Sequence, residues 1–212
     1  MTTEAAGRRR SQEERSAATR ERILDATVEC LMTYGYAGTT TPRVAETAGL
    51  TRGAQVHHFG SKNDLIIAAV QHLATKLVAA AVPRFVGVMT SDDPLGTILD
   101  LLWDIHSGPI FVPIVELWVA GRTDPTLRDE VARFEDIVVT AILGTAAKVV
   151  PVEIHEPMLD FMYTAMDALR GILLSSFVES DPTRARRRWE RASTALRRIA
   201  DPAIVNWRAN DR

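Results

Sequence analysis

Arg52, Gln55, His57 and His58 stand within one seven-residue stretch, with the small residues Gly53 and Ala54 between them. A guanidinium or a carboxamide can grip a base edge through two hydrogen bonds, and small neighbours let a helix backbone press into a groove. The same polar run also suits a solvated surface helix, so its flanks must decide. Upstream, residues 42–47 read as a second short helix. Thr40 and Thr41 can accept its first free N–H groups, and Pro42 fits an opening turn that needs no donor. Between the two segments lies Ala48-Gly49-Leu50, two small residues that permit a sharp turn and a leucine that can tuck into it. Thr51 caps the second segment. Two short helices joined at a steep angle through a glycine turn make a helix-turn-helix. The residues placed to touch DNA are Thr40, Arg43, Thr51, Arg52, Gly53, Gln55, His57, His58 and Lys62.

Such a pair of helices needs a third to close its core. Ile23, Thr27, Cys30, Leu31 and Tyr34 fall on one face of a helix predicted over residues 16–34, and Gly35 is a natural end for it. Val44, Ala45, Leu50, Val56 and Phe59 complete that small core. Ser61 and Asp64 then form a capping signal for a fourth helix, expected to stop before Pro83. Its N-terminal N–H groups and Lys62 offer a phosphate site. Residues 1–15 are polar and aperiodic and read as a mobile arm. Residues 8–22 carry six Arg against three Glu, a local balance of +3 within a chain of net charge −2.

These residues resemble the TetR family of bacterial transcriptional regulators. The matching positions run in register from Ile23-Leu24-Asp25-Ala26 through Gly35-Tyr36, Thr39-Thr40, Val44-Ala45 and Ala48-Gly49-Leu50-Thr51. Gly53-Ala54, His58-Phe59, Ser61-Lys62 and Leu65 complete the set. Gln55-Val56 departs from the pattern, since the family usually has an aliphatic-aromatic pair there, and Thr41 stands where an apolar residue is more usual. The resemblance implies an N-terminal DNA-binding domain, a divergent C-terminal effector domain, and a homodimer paired through the last two long helices.

The fold class expected is all-α, because helix formers dominate the 212 residues and no strand-like alternation is present. The organisation expected is an arm over 1–15, a DNA-binding domain over 16–62 with the helix-turn-helix near 40–59, and a connecting helix over 63–82. An effector-binding and dimerisation domain over 83–200 and a tail over 201–212 follow. Helices are predicted near 94–107, 109–121, 125–149, 156–179 and 183–200. Trp103, Phe111, Phe161, Met162 and Met166 are large apolar groups that could wall a ligand cavity, with His106 and Glu116 as polar anchors. Tyr163 and Asp167 are weaker polar candidates. Core packing is the competing role for all of them. Leu173, Trp189 and Leu196 are placed at the dimer seam. The last helix has seven Arg against one Glu, read as a solvated basic face on an amphipathic helix.

One cysteine excludes an internal disulfide, no apolar leader opens the chain, and no run is long enough to span a bilayer. A cytoplasmic location is therefore expected, with no membrane partner. Arg outnumbers Lys by 22 to 3, which reads as base composition of the genome. No metal-ligand spacing or nucleophile motif occurs, so no enzyme, no metal and no cofactor is expected. The expected partners are double-stranded operator DNA, a small-molecule effector and a second copy of the chain. The competing function is a helical protein-interaction module that has kept the fold and lost DNA binding.

Overall fold

The computed structural model describes residues 2–51, 53, 58–146 and 150–206. Among these the structure is all-α. Helices α1 (Thr2–Gly38), α2 (Thr41–Thr47), α3 (Lys62–Met89), α4 (Pro94–His106) and α5 (Phe111–Gly121) come first. Then follow α6 (Pro125–Ala146), α7 (His155–Ser176), α8 (Arg184–Ile199) and α9 (Pro202–Asn206), with a 3₁₀ turn at Val152–Ile154 before α7. The chain divides into two compact units. One comprises Met1–Thr75 with Val112–Glu135, and the other Lys76–Phe111 with Asp136–Arg212.

In the first unit, Ile23, Leu24, Ala26 and Cys30 of α1 meet Val44, Ala48, Phe59, Leu65, Ala68 and Ala69 in one apolar cluster, with Leu50 packed against it. The periodicity of α1 thus buries the face expected, except at Tyr34. That ring is 49% exposed and lies under the Arg43 guanidinium, 4.2 Å from its centroid. Thr27 is fully buried because its hydroxyl donates to the Ile23 carbonyl one turn back, at 2.7 Å.

Helix α1 differs from expectation at both ends. Helical backbone begins at Thr2, across the segment read as an arm, since its Arg, Glu, Gln and Ala are all good helix formers. At the other end Gly35 breaks the regular helix with φ 68°, and a further turn carries the chain to Gly38. Thr39 secures this exit. Its N–H and its hydroxyl both donate to the Gly35 carbonyl, at 3.1 and 2.7 Å.

Helix α3 opens on the expected cap, with the Asp64 N–H donating to Ser61 Oγ at 3.1 Å and Ser61 Oγ to the Asp64 carboxylate at 2.8 Å. It does not stop at Pro83, which lies inside it. A proline deletes one backbone bond and crowds the preceding turn, which bends a long helix as readily as it ends one.

In the second unit α7 packs along α8, and both rest on α4. Trp189 of α8 is 1% exposed, and Leu169, Leu173 and Leu196 of the same two helices are buried with it. Arg197 forks onto the Asp93 carboxylate at 2.6 and 2.9 Å, and Asp93 also accepts the Gly96 N–H, at 3.1 Å, so α8 is tied to the cap of α4. The expected tail contains α9, whose Ile204 is 1% exposed. Truncating the largest buried side chain measures how far this layer depends on it. Trp189→Ala should cost about 3–5 kcal/mol in urea-induced unfolding, while Arg191→Ala, on the exposed face of α8, should leave the midpoint within about 0.5 kcal/mol of the parent.

Candidate DNA-binding and effector sites

The helix-turn angle is built from backbone. Helix α2 ends with Ala48 as its C-cap and Gly49 in the left-handed region at φ 62°. The Leu50 N–H donates to the Ala45 carbonyl and the Gly49 N–H to the Glu46 carbonyl, both at 2.9 Å. This is the Schellman arrangement, which turns the chain sharply while satisfying the carbonyls at a helix end. From α1, the Arg22 guanidinium donates to the Ala48 carbonyl at 2.6 Å, fastening the turn to the helix beneath it. No sequence signal marked Arg22, because its partner lies 26 residues away. At the other end of α2, Thr40 caps the helix by accepting the Arg43 N–H at 3.4 Å.

Beyond the turn, Thr51 and Gly53 are exposed and His58 is half-buried, its ring 6.4 Å from that of the buried Phe59. Arg52, Gln55 and His57, the residues expected to read bases, lie outside the described residues, as does Val56. Two expected phosphate or base contacts make bonds within the chain. Arg43, besides stacking on Tyr34, donates to the Gly38 carbonyl at 2.5 Å. Lys62 donates to the Tyr36 carbonyl at 3.0 Å and sits 4.7 Å from the centre of the Tyr36 ring. Burial lowers the pKa of its ammonium from 10.5. Neither side chain extends freely towards a ligand, because each is anchored at the end of α1.

The residues expected around an effector have neighbours of their own. Trp103 is half-buried, with the Arg186 guanidinium 5.1 Å from its ring centroid. His106 donates from Nδ1 to the Leu102 carbonyl at 2.9 Å and lies 6.4 Å from Phe111, which in turn meets Phe177 at 6.1 Å. Phe161 borders a separate groove with Pro157, Thr164, Leu196 and Ile204, of about 260 Å³. That falls below the ~300 Å³ at which pockets for drug-sized ligands begin. Met162 is buried and Met166 half-buried on α7. Glu116 belongs to the first unit and accepts the Tyr36 N–H. Tyr163 and Asp167 are exposed.

The residues placed at a dimer seam are also spoken for. Leu173, Trp189 and Leu196 are 7%, 1% and 7% exposed, so their apolar surface is already used inside the chain. The reason is that α7 and α8 face each other and α4 before they face anything else. The basic face of α8 is largely exposed, and several of its charges are paired there. Arg186 pairs with Asp100 and Glu190, Arg187 with Asp181, and Arg188 with Glu179. Among the described residues no group of three side chains could hold a metal ion, and no single helix is long and apolar enough to cross a membrane.

Burial holds the His106 pKa below its ordinary 6.5; the bond to Leu102 opposes that shift, and the charge of Arg170 reinforces it. Below 6.5 the unfolded chain takes up a proton that the folded chain refuses. The stability this residue contributes at neutral pH is therefore lost as pH falls from 6.5 through the folded value. Urea unfolding at pH ~7 and ~5 should show that loss, and His106→Gln should flatten the dependence.

Comparison with known proteins agrees with this architecture. Residues 23–69 match the model described as bacterial regulatory proteins, tetR family. The HTH-type transcriptional regulator CymR of Pseudomonas putida is 26% identical over 91% of this chain and 94% of its own length. Further bacterial regulators match over 57% to 62% of their own lengths. Among solved structures, a TetR-family transcriptional regulator from Mesorhizobium loti MAFF303099 superposes with a TM-score of 0.65 at 14% identity. That match covers 86% of this chain and 95% of that one. The multidrug binding protein EbrR, complexed with proflavin, gives a TM-score of 0.55 at 25% identity, covering 84% of this chain and 99% of EbrR.

Proposed function

This chain belongs to the TetR family of bacterial regulatory proteins, and from that premise we propose a repressor that a small, largely apolar effector releases from its operator. The observation that carries the DNA-binding part is the Schellman turn at Gly49. It ends α2 beside the exposed Thr51 and Gly53, and the segment that follows, with Arg52 and Gln55, is the one we assign to a major groove. A two-fold dimer reads two-fold DNA, so the operator is near-palindromic, with half-sites ~34–36 Å apart.

The dimer pairs outward faces of α7 and α8. Their buried faces are occupied, yet Leu174 is 51% exposed, Val178 just beyond α7 is 93% exposed, and Ile199 at the end of α8 is 76% exposed. Leu174 and Val178 lie at the C-terminal end of α7, while Ile199 lies beside Pro157 and Asp160 at its start, so the proposed seam runs along both helices. The effector reading draws on the aromatic residues of the second unit, Trp103, Phe111 and Phe177. It also draws on the multidrug binding protein EbrR, which was solved in complex with proflavin. Differential affinity worth ~1–3 kcal/mol between two dimer geometries is enough to change operator affinity 5–150-fold.

Repeated selection from random-sequence duplex DNA tests the central claim. The purified chain should enrich an inverted repeat, and failure to enrich any sequence would sink the repressor reading. Arg52→Ala should then relax preference at one position in each half-site by ~1–3 kcal/mol, read by competition with single-base variants. A paired Leu174→Glu and Ile199→Glu variant should sediment as a monomer and lose the enriched operator. A dimer that survives both changes would place the seam on another face.

A further inference from the structure

Helix α5 carries one charged residue, Glu116, in an otherwise apolar sequence. Its neighbours Val115 and Leu117 are buried. A lone carboxylate in such a helix needs donors, and it finds one in the backbone at the end of α1. The Tyr36 N–H donates to Glu116 Oε2. That approach is open only because residue 35 has no side chain. A Cβ on Gly35 would lie 2.5 and 2.7 Å from the two carboxylate oxygens, and its φ of 68° is already in the left-handed region. The Tyr36 carbonyl is meanwhile held by Lys62 at 3.0 Å, and the Gly35 carbonyl by Thr39. One residue is thus gripped at its N–H by α5 and at its C=O by α3.

We propose that Glu116 is a positioning residue for DNA recognition: its carboxylate fixes the strap, residues 35–39, through which the chain enters α2. This rests on the DNA-binding reading above. The strap leads into the cap of α2 at Thr40, so the angle at which the helix-turn-helix is presented follows the position of Tyr36. A hydrogen bond to an ionised acceptor is stronger and shorter than one between neutral groups, which suits it to hold an angle. Glu116 stands outside the apolar cluster that holds the head together, which is built from α1, α2, Phe59 and α3. Its loss therefore alters presentation and leaves the core packed. Displacement of α5 is transmitted to the reading head through this bond.

The test uses the full chain and the duplex that the parent protein enriches from a random pool. Glu116→Ala should bind that duplex about tenfold more weakly, a coupling within the ordinary range for one element that biases another. Its affinity for unrelated duplex should stay near the parent's, and the Tyr36 amide should exchange its proton faster. Its melting temperature should fall by only a few degrees, so that the head stays folded at the assay temperature. Glu116→Gln, whose amide oxygen still accepts the Tyr36 N–H, should keep most of the specific affinity. Undiminished specific affinity in Glu116→Ala overturns the proposal. So does a loss shared equally by unrelated duplex, or one that merely follows unfolding of the head at the assay temperature. If the parent enriches no duplex, the repressor reading fails by itself. Tyr36 amide exchange then decides the strap alone, and an unchanged rate in Glu116→Ala overturns it.

Discussion

The left-handed backbone at Gly49 constrains the DNA-binding head more than any side chain does. A helix that must end within three residues and yield to another has few conformations that satisfy its last carbonyls. The Schellman turn is one of them, and it requires φ above zero at the residue after the cap. Space is not the issue there, because the nearest atom to an added Cβ would be Arg22 Nη2 at 3.7 Å, an ordinary contact. The cost of any other L-residue is backbone strain of roughly 1–2 kcal/mol, borne where the reading angle is set. Arg22, Leu50 and the cluster around Val44 then hold what the turn has already decided.

The second unit is stabilised differently. Its arginines make many ion pairs, but Arg187 and Asp181 are about half exposed, as are Arg197 and Asp93. Exposed pairs are worth about 0–1 kcal/mol each. Complete burial of the Trp189 ring outweighs several of them. The pairs act instead as register marks. Arg197 on Asp93 and Arg186 on Asp100 each join α8 to one place on or beside α4, so apolar helices that could slide past one another have a preferred alignment.

Much of this was legible in the sequence, and the reasons are local. Thr40, Ser61 and Asp64 announced caps because a capping bond spans three residues. Ile23, Thr27, Cys30 and Leu31 announced a buried face because helical spacing repeats within a few turns. The contacts that the sequence did not announce are those between distant segments. Lys62 looked like a phosphate ligand from its place at a helix start, and nothing in the sequence places Tyr36 beneath it. Trp189 and Leu196 looked like seam residues because an apolar stripe does not say which of two neighbours covers it. Glu116 looked like an effector anchor because a carboxylate in an apolar helix suggests a cavity. Its actual partner, a backbone N–H freed by Gly35, has no side-chain signature at all.

Cys30 gives the head a built-in reporter. The chain's one thiol is 0% exposed and rests 3.4 Å from Thr47 Oγ1, beneath the joint between α1 and α2. A thiol reagent can reach it only in molecules whose first two helices have come apart. Its rate of modification in native buffer therefore counts the fraction of heads that are open at any instant. Operator DNA, which engages only closed heads, would slow that chemistry in proportion to its occupancy. A residue with no part in recognition thus makes the energetics of recognition measurable without a label.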